Sequence, residues 1–425
     1  MHKRLIFMIC LCLTLAAGLL SCHADSATWQ SATSQAKLFT PIHVTLTWTK
    51  DNTTSQTITW TTASSVQTGL VQYAAQEPGF ADIAERLGVK ADELRFKGSA
   101  GFAKASWQTL KTGTKKQHIF STTLTGLRPG TRYFYRIKDG RNWSRTYTFS
   151  TAQEEPQNFN FLVFGDSQSS GDYLLWKQDI HSAYSANPDA RFFVNVGDLV
   201  DHGHDYTEWD SWFTGCNGII DTLTAMPVRG NHDSDETLWK AQFKLPQNGP
   251  RSGKGLTYSF NYGNAHFVML DNLEQRDSAA LQEQKHWLAN DLKNTSKPWK
   301  LVFFHKPLYV CKTGRNNEYL KLVYLEILEK YHTDIVFNGH DHAVARTYPI
   351  LEDKAVDPPQ GVIHYITGRS GSKFYTDSWP KSQDVYFYNP VDQPTYTDVN
   401  VAGQTMSIKT LKLDGTVLDT LKIEK

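Results

Sequence analysis

Five short blocks hold the residues of this chain that could do chemistry: Gly165-Asp166-Ser167-Gln168, Gly197-Asp198-Leu199-Val200-Asp201, Gly230-Asn231-His232-Asp233, Phe303-Phe304-His305-Lys306-Pro307 and Gly339-His340-Asp341-His342. Together they offer carboxylate, amide and imidazole donors, a set that suits Fe, Zn or Mn better than Ca or a soft thiolate metal. Two cations held by such donors form a positive pocket that attracts a phosphate oxyanion and lowers the pKa of a bound water toward neutrality. Asp198 is the candidate bridge between cations roughly 3.5–4 Å apart. Asp166 and His342 would complete one site, and Asn231, His305 and His340 the other. His232 follows the Asn ligand and is assigned to the substrate, where it stabilises the transition state or protonates the leaving alkoxide. Any single block reads as an ordinary turn or an ordinary histidine. Five in this order, each after an apolar run, point to a dinuclear hydrolytic centre.

Such donors must be gathered by strand ends, because an open α/β sheet turns the loops at its strand termini into one crevice. Apolar runs at 159–164, 191–196, 267–270, 300–304 and 334–337 read as buried strands, with helical periodicity at 282–292 and 318–331. Strands around 405–413 and 417–423, joined through Asp414-Gly415, close the chain. These define an α/β domain over 157–425, expected as a two-sheet αββα sandwich, after a linker at Gln153–Gln157. Upstream, 38–152 carries short alternating runs at 44–48, 57–60, 71–73, 118–120, 133–137 and 146–149, the pattern of an all-β sandwich. An insertion at 77–107, with a short helix near 82–87, interrupts it. The Pro129-Gly130 turn into an aromatic strand at 133–137 resembles the entry to the tyrosine corner of fibronectin type III domains.

The 425 residues allow two or three domains, and 40% hydrophobic with 20% charged residues is an ordinary globular composition. Lys3, Arg4, the apolar stretch 5–20 and the small residues after it read as an export signal over 1–22. Leu19-Leu20-Ser21-Cys22 also resembles a lipoprotein signal, which would anchor the chain to a membrane through Cys22; cleavage near Ala24 or Ala27 is the alternative. A Ser-, Thr-, Ala- and Gln-rich tether at 23–37 follows. Loss of Lys3 and Arg4 leaves 42 basic against 43 acidic residues, so no net field favours nucleic acid. Cys216 and Cys311, both in loops beside the blocks, are expected to form a disulfide in an oxidising compartment.

The chain resembles the purple acid phosphatase branch of the calcineurin-like metallophosphoesterases. The resemblance rests on the five blocks, on Tyr258-Ser-Phe-Asn-Tyr-Gly-Asn-Ala-His-Phe-Val-Met-Leu-Asp271, on the Trp287 to Asp291 segment with Pro298-Trp-Lys-Leu-Val-Phe-Phe-His305, and on Thr367-Gly-Arg-Ser-Gly371. It implies a fibronectin III-like domain ahead of a phosphatase domain, and a phosphoric ester hydrolase acting by metal-activated hydroxide attack on a small phosphate monoester. A phosphodiesterase or nucleotide pyrophosphatase on the same centre is the runner-up, and a non-catalytic adhesion protein the third reading. Three departures matter. The purple enzymes place a metal-binding tyrosine where this chain has Asp201, so the charge-transfer colour is expected to be missing. Gln168 stands where other metallophosphoesterases place a His ligand. Gln168 and Asp201 are therefore candidates for weak ligands or for hydrogen-bonding supports, with His202 and His204 nearby as surface residues or substitutes. Plant members carry a His pair where this chain has Gly314 and Arg315, which makes Arg315 a candidate phosphate clamp. Tyr206 and Tyr309 are candidates to line the cleft.

Overall fold

In the computed structural model the described residues are 39–77, 86, 95–96, 100–112, 115–273 and 278–425. The expected leader and tether lie outside them, as does the helix near 82–87 apart from Arg86.

Residues up to Ser150 build two four-stranded sheets. One runs Ile42–Thr47, Ser55–Ala63, Lys115–Thr125, Ser106–Thr112, and the other Gly101–Lys104, Leu70–Ala75, Arg132–Lys138, Tyr147–Ser150. Period-2 alternation turns Leu46, Ile58, Trp60, Val71, Phe120, Tyr135, Ile137 and Phe149 inward between them. The expected insertion at 77–107 is too long at its C-terminal end, because Gly101–Lys104 and Ser106–Thr112 are strands of the sandwich. Both lie at sheet edges with few buried side chains, which hid their apolar pattern.

The rest of the chain forms two larger sheets face to face. The first is ordered Thr224–Ala225, Phe192–Asn195, Asn158–Phe164, Thr395–Ala402, Thr405–Lys412, Val417–Glu424. The second is Tyr258–Tyr262, Ala265–Leu270, Trp299–Phe304, Ile335–Asn338, Ile363–Thr367, Val344–Thr347, Asp384–Tyr388. Alternation along the second sheet explains the layering. Phe267 and Phe303 face the first sheet, where Phe161 meets Phe267 edge-on at 5.3 Å. Val268, Leu270, Val302 and Phe304 face outward onto Leu281, Leu288 and Leu292 of helix Ala279–Asn294 and Leu320, Tyr324 and Leu328 of helix Glu318–Lys330. Helix Leu174–Ala186 covers the outer face of the first sheet through Trp176, Ile180 and Ala183. The architecture is an αββα sandwich behind an all-β domain.

The two parts share packing. Trp48 of the sandwich is buried in the α/β core and meets Phe192 edge-on at 5.4 Å, while Tyr135 donates its hydroxyl to the Asp221 carbonyl at 2.7 Å. The expected disulfide is absent. Cys216 caps helix Tyr206–Gly215 with its thiol on the Trp212 carbonyl, whereas Cys311 packs with Ala343, Ala345 and Ile366. Both thiols are free and buried, in different clusters, and burial pushes both up in pKa.

Candidate metal centre

Each block leaves its strand and enters a tight loop at the same end of the two sheets. The loops approach one another so closely that only glycine fits between them. A Cβ at Gly197 would stand 2.5 Å from His305 Nδ1, and one at Gly230 would stand 2.0 Å from the Asp198 nitrogen. The donors themselves are strained: Asp198, His340 and His342 have φ of 50°, 72° and 54°, in the left-handed region that L residues avoid. Asp233 holds two loops together. Its Oδ1 accepts from the Leu199 and Val200 amides at 2.9 and 3.1 Å, and its Oδ2 from Gly230 N at 2.9 Å.

Among the described residues, two groups could hold a cation: Asp198 with His305 and His340, and Asp166 with Asp198 and His342, each with donor atoms within 4.8 Å of one another. Asp198 is common to both, as a bridge must be. His305 Nε2 lies 3.0 Å from Asp198 Oδ2, and His342 Nε2 lies 3.2 Å from Asp166 Oδ1. Their other ring nitrogens are fixed: His305 Nδ1 is 2.9 Å from the Val196 carbonyl and His342 Nδ1 2.9 Å from that of Lys373. A carbonyl on Nδ1 puts the proton there and leaves Nε2 as a bare donor, the usual support of a metal-binding histidine. His342 Nε2 and Gln168 Oε1 are both buried with no hydrogen-bond partner. Orphaned acceptors of this kind cost about 1–3 kcal/mol each unless something occupies the space they face, so the donor set fits a cation pair.

The electrostatics agree. Burial alone would raise the Asp198 carboxyl, but the adjacent His305 holds it down at about 2. Burial alone would lower His305, yet Asp198 and then Asp166 raise it to about 9. Burial and the Asp198 charge push Asp233 up to about 8. Buried carboxylates thus recruit a proton onto His305 as countercharge, and a bound cation would take that proton's place.

The other sequence candidates are placed as follows. Asn231 is exposed and lies between Gly230, which abuts Asp198, and His232. His232 donates its amide to Asp198 Oδ1 at 2.8 Å and sets Nδ1 2.7 Å from the Asp201 carbonyl. The Asp201 carboxylate is taken by Lys373 Nζ at 2.8 Å and Gln168 Nε2 at 3.2 Å, so it supports neighbours instead of pointing at the donor cluster. Arg315 is not free to clamp phosphate: NH1 is bound to Asp341 Oδ1 and the His340 carbonyl and NH2 to the Tyr375 hydroxyl, which ties the guanidinium to the His340–His342 loop. Tyr309 binds Asp353 and Tyr206 packs on His43, so neither expected cleft role is realised. His202 is exposed and paired with Glu208 at 2.6 Å, and His204 is exposed, as surface residues. Lys373 was missed, although it lies two residues beyond the Thr367–Gly371 segment.

Comparison with known proteins follows the two-part fold. The N-terminal domain of purple acid phosphatases matches residues 41–151, and calcineurin-like phosphoesterase matches residues 159–344. The chain belongs to the purple acid phosphatase-like metallophosphoesterases. It is 29% identical to purple acid phosphatase 15 of Arabidopsis thaliana over 60% of this chain and 54% of that protein. To acid phosphatase type 7 of Mus musculus it is 26% identical, over 60% of this chain and 65% of that one. The chain thus spans roughly half to two thirds of the length of these relatives. A purple acid phosphatase from yellow lupin seeds shares the fold at a TM-score of 0.72 and 18% identity, covering 90% of this chain and 74% of that one. PhoD shares it at 0.63 and 13%, covering 91% and 92%. A dinuclear centre is the mark of the purple acid phosphatase family, and Asp166, Asp198, His305, His340 and His342 are where this member would build it.

Proposed function

We propose that the chain is an exported metal-dependent phosphoric ester hydrolase that acts on small phosphate monoesters. The observation that carries this reading is the pair of buried donor groups sharing Asp198, with His232 on the adjoining loop. Two bound cations would supply Lewis acidity and a water activated at neutral pH. The chain's own residues do the rest. Asp166 accepts the His340 amide at 2.9 Å and so couples the two sites. His232, its Nδ1 held on the Asp201 carbonyl, offers Nε2 to the leaving-group oxygen. Arg315 keeps the His340–His342 loop in its strained form.

Export rests on the basic and apolar residues at 1–22, with either a lipid anchor at Cys22 or cleavage near Ala24 or Ala27. The metals are Fe, Zn or Mn by donor chemistry. The test compares turnover of a phosphate monoester and a diester after loading with each metal. Monoester preference supports the proposal, and diester preference overturns it in favour of a phosphodiesterase. His232→Ala should lower kcat by a factor of order 100 with metal content intact.

A further inference from the structure

We propose that Lys373 is the phosphate clamp of this centre and that Asp201 is the residue that positions it. The proposal rests on the hydrolase reading above. The ammonium stands 2.8 Å from Asp201 Oδ1 and 3.2 Å from His232 Nε2, the ring nitrogen that the Asp201 carbonyl leaves free. An ammonium has three N–H donors. Asp201 takes one and, before substrate arrives, His232 Nε2 a second; the third is left for an oxyanion beside His232, and Nε2 turns from the ammonium to the leaving-group oxygen as that ligand seats.

Lys373 is not a wandering surface lysine. Its carbonyl accepts from His342 Nδ1 at 2.9 Å, so the residue that fixes a metal-binding histidine also launches the ammonium. The preceding backbone is tied to the first block: Ser370 and Gly371 donate their amides to the Asp166 carbonyl at 2.9 and 3.0 Å, and Ser372 donates to Ser169 Oγ at 3.0 Å. At Gly371 a Cβ would stand 2.2 Å from the Gln168 carbonyl, so the loop lies directly on that block. The Lys373 side chain keeps 25% exposure, enough for a solute to reach it. Arg315, the other cation considered for this role, spends its guanidinium on Asp341 and the His340 carbonyl. Asp201 holds the ammonium over His232 and so replaces coordination of a metal with delivery of a positive charge. A compact ammonium suits one non-bridging phosphoryl oxygen, where a guanidinium fork would demand two.

Titration calorimetry with inorganic phosphate on the metal-loaded protein tests this, with metal content measured in parallel. Lys373→Met should weaken phosphate binding about tenfold or more, as expected for loss of a charge-assisted hydrogen bond, and raise KM more than it lowers kcat. Lys373→Arg should recover part of that loss. Asp201→Asn should weaken binding less, and the double variant should be no worse than Lys373→Met alone, because both act through one ammonium. Unchanged phosphate affinity in Lys373→Met, loss of metal in that variant, or additive losses would each overturn the clamp. If the wild-type metal-loaded protein neither binds phosphate nor cleaves phosphate esters, the hydrolase reading fails first and the clamp with it.

Discussion

Asp233 provides a quantitative test of how the centre is held. Its carboxylate accepts three backbone amides, from Leu199, Val200 and Gly230, and so joins the loop of Asp198 to the loop of Asn231 and His232. The side chain is fully buried. In Asp233→Ala those three N–H groups lose their partner; at about 1–3 kcal/mol for each buried orphan, partly offset by water entering at the exposed Asn231 edge, the cost is about 3–5 kcal/mol. An α/β unit of this size loses about 2 °C of Tm per kcal/mol, so the unfolding midpoint of metal-free protein should fall by about 6–10 °C. Asp233→Asn keeps one oxygen for Leu199 and Val200 but turns a donor toward Gly230 N. It should cost about 1–2 kcal/mol, a shift of about 2–4 °C. Calorimetric melting near pH 4 without added metal reads both shifts free of ligand linkage and nearly free of the proton that Asp233, raised to about 8, takes up on folding at neutral pH. A midpoint for Asp233→Ala within about 1 °C of wild type would refute the view that this carboxylate ties the two loops together.

Three further outcomes are expected. Iron-loaded protein should lack a visible phenolate-to-metal band, because Asp201 stands at the tyrosine position and is engaged by Lys373; a strong band would contradict that placement. Asp398 has a buried, unpartnered Oδ1, and burial pushes its pKa up to about 6. The folded state therefore holds a proton that the unfolded chain releases near pH 4, and stability drains away as pH rises from about 4 to 6. Asp398→Asn should gain stability over wild type above pH 6 and none below pH 4, and an equal gain at both would refute the assignment. Mass spectrometry after alkylation of the unfolded protein should find Cys216 and Cys311 both modified, and a cross-linked peptide would reverse the finding that they are apart.

The ligand loops were legible in the sequence because their chemistry is local. A glycine, a donor and a preceding apolar strand are contiguous, and the glycines prove to be the points where loops touch, as at Gly230 against Asp198. The αββα layering was legible for the same reason, through alternation such as Phe267 and Met269 against Val268 and Leu270. What escaped notice depends on distant partners. Lys373 meets Asp201 across 172 positions, and Arg315, a candidate clamp by its place in the sequence, is bound to Asp341, 26 positions away. Helices Leu174–Ala186, Tyr206–Gly215 and Glu236–Gln242 were not anticipated, although Asp205 and Asp235 mark the last two as N-caps that accept the Thr207 and Thr237 amides. Their aromatic faces, including Trp176, Trp209, Trp212 and Trp239, pack into the large core. The Cys pair was misread because nearness to the site blocks in sequence does not place two thiols in one cluster.

Anomalous diffraction at the absorption edge of the loaded metal tests the central claim most directly. Two peaks are expected, one bounded by Asp166 and His342 and one by His305 and His340, with Asp198 touching both and Asn231 turned inward from the rim. A single peak, or peaks away from Asp198, would contradict a dinuclear centre in this chain.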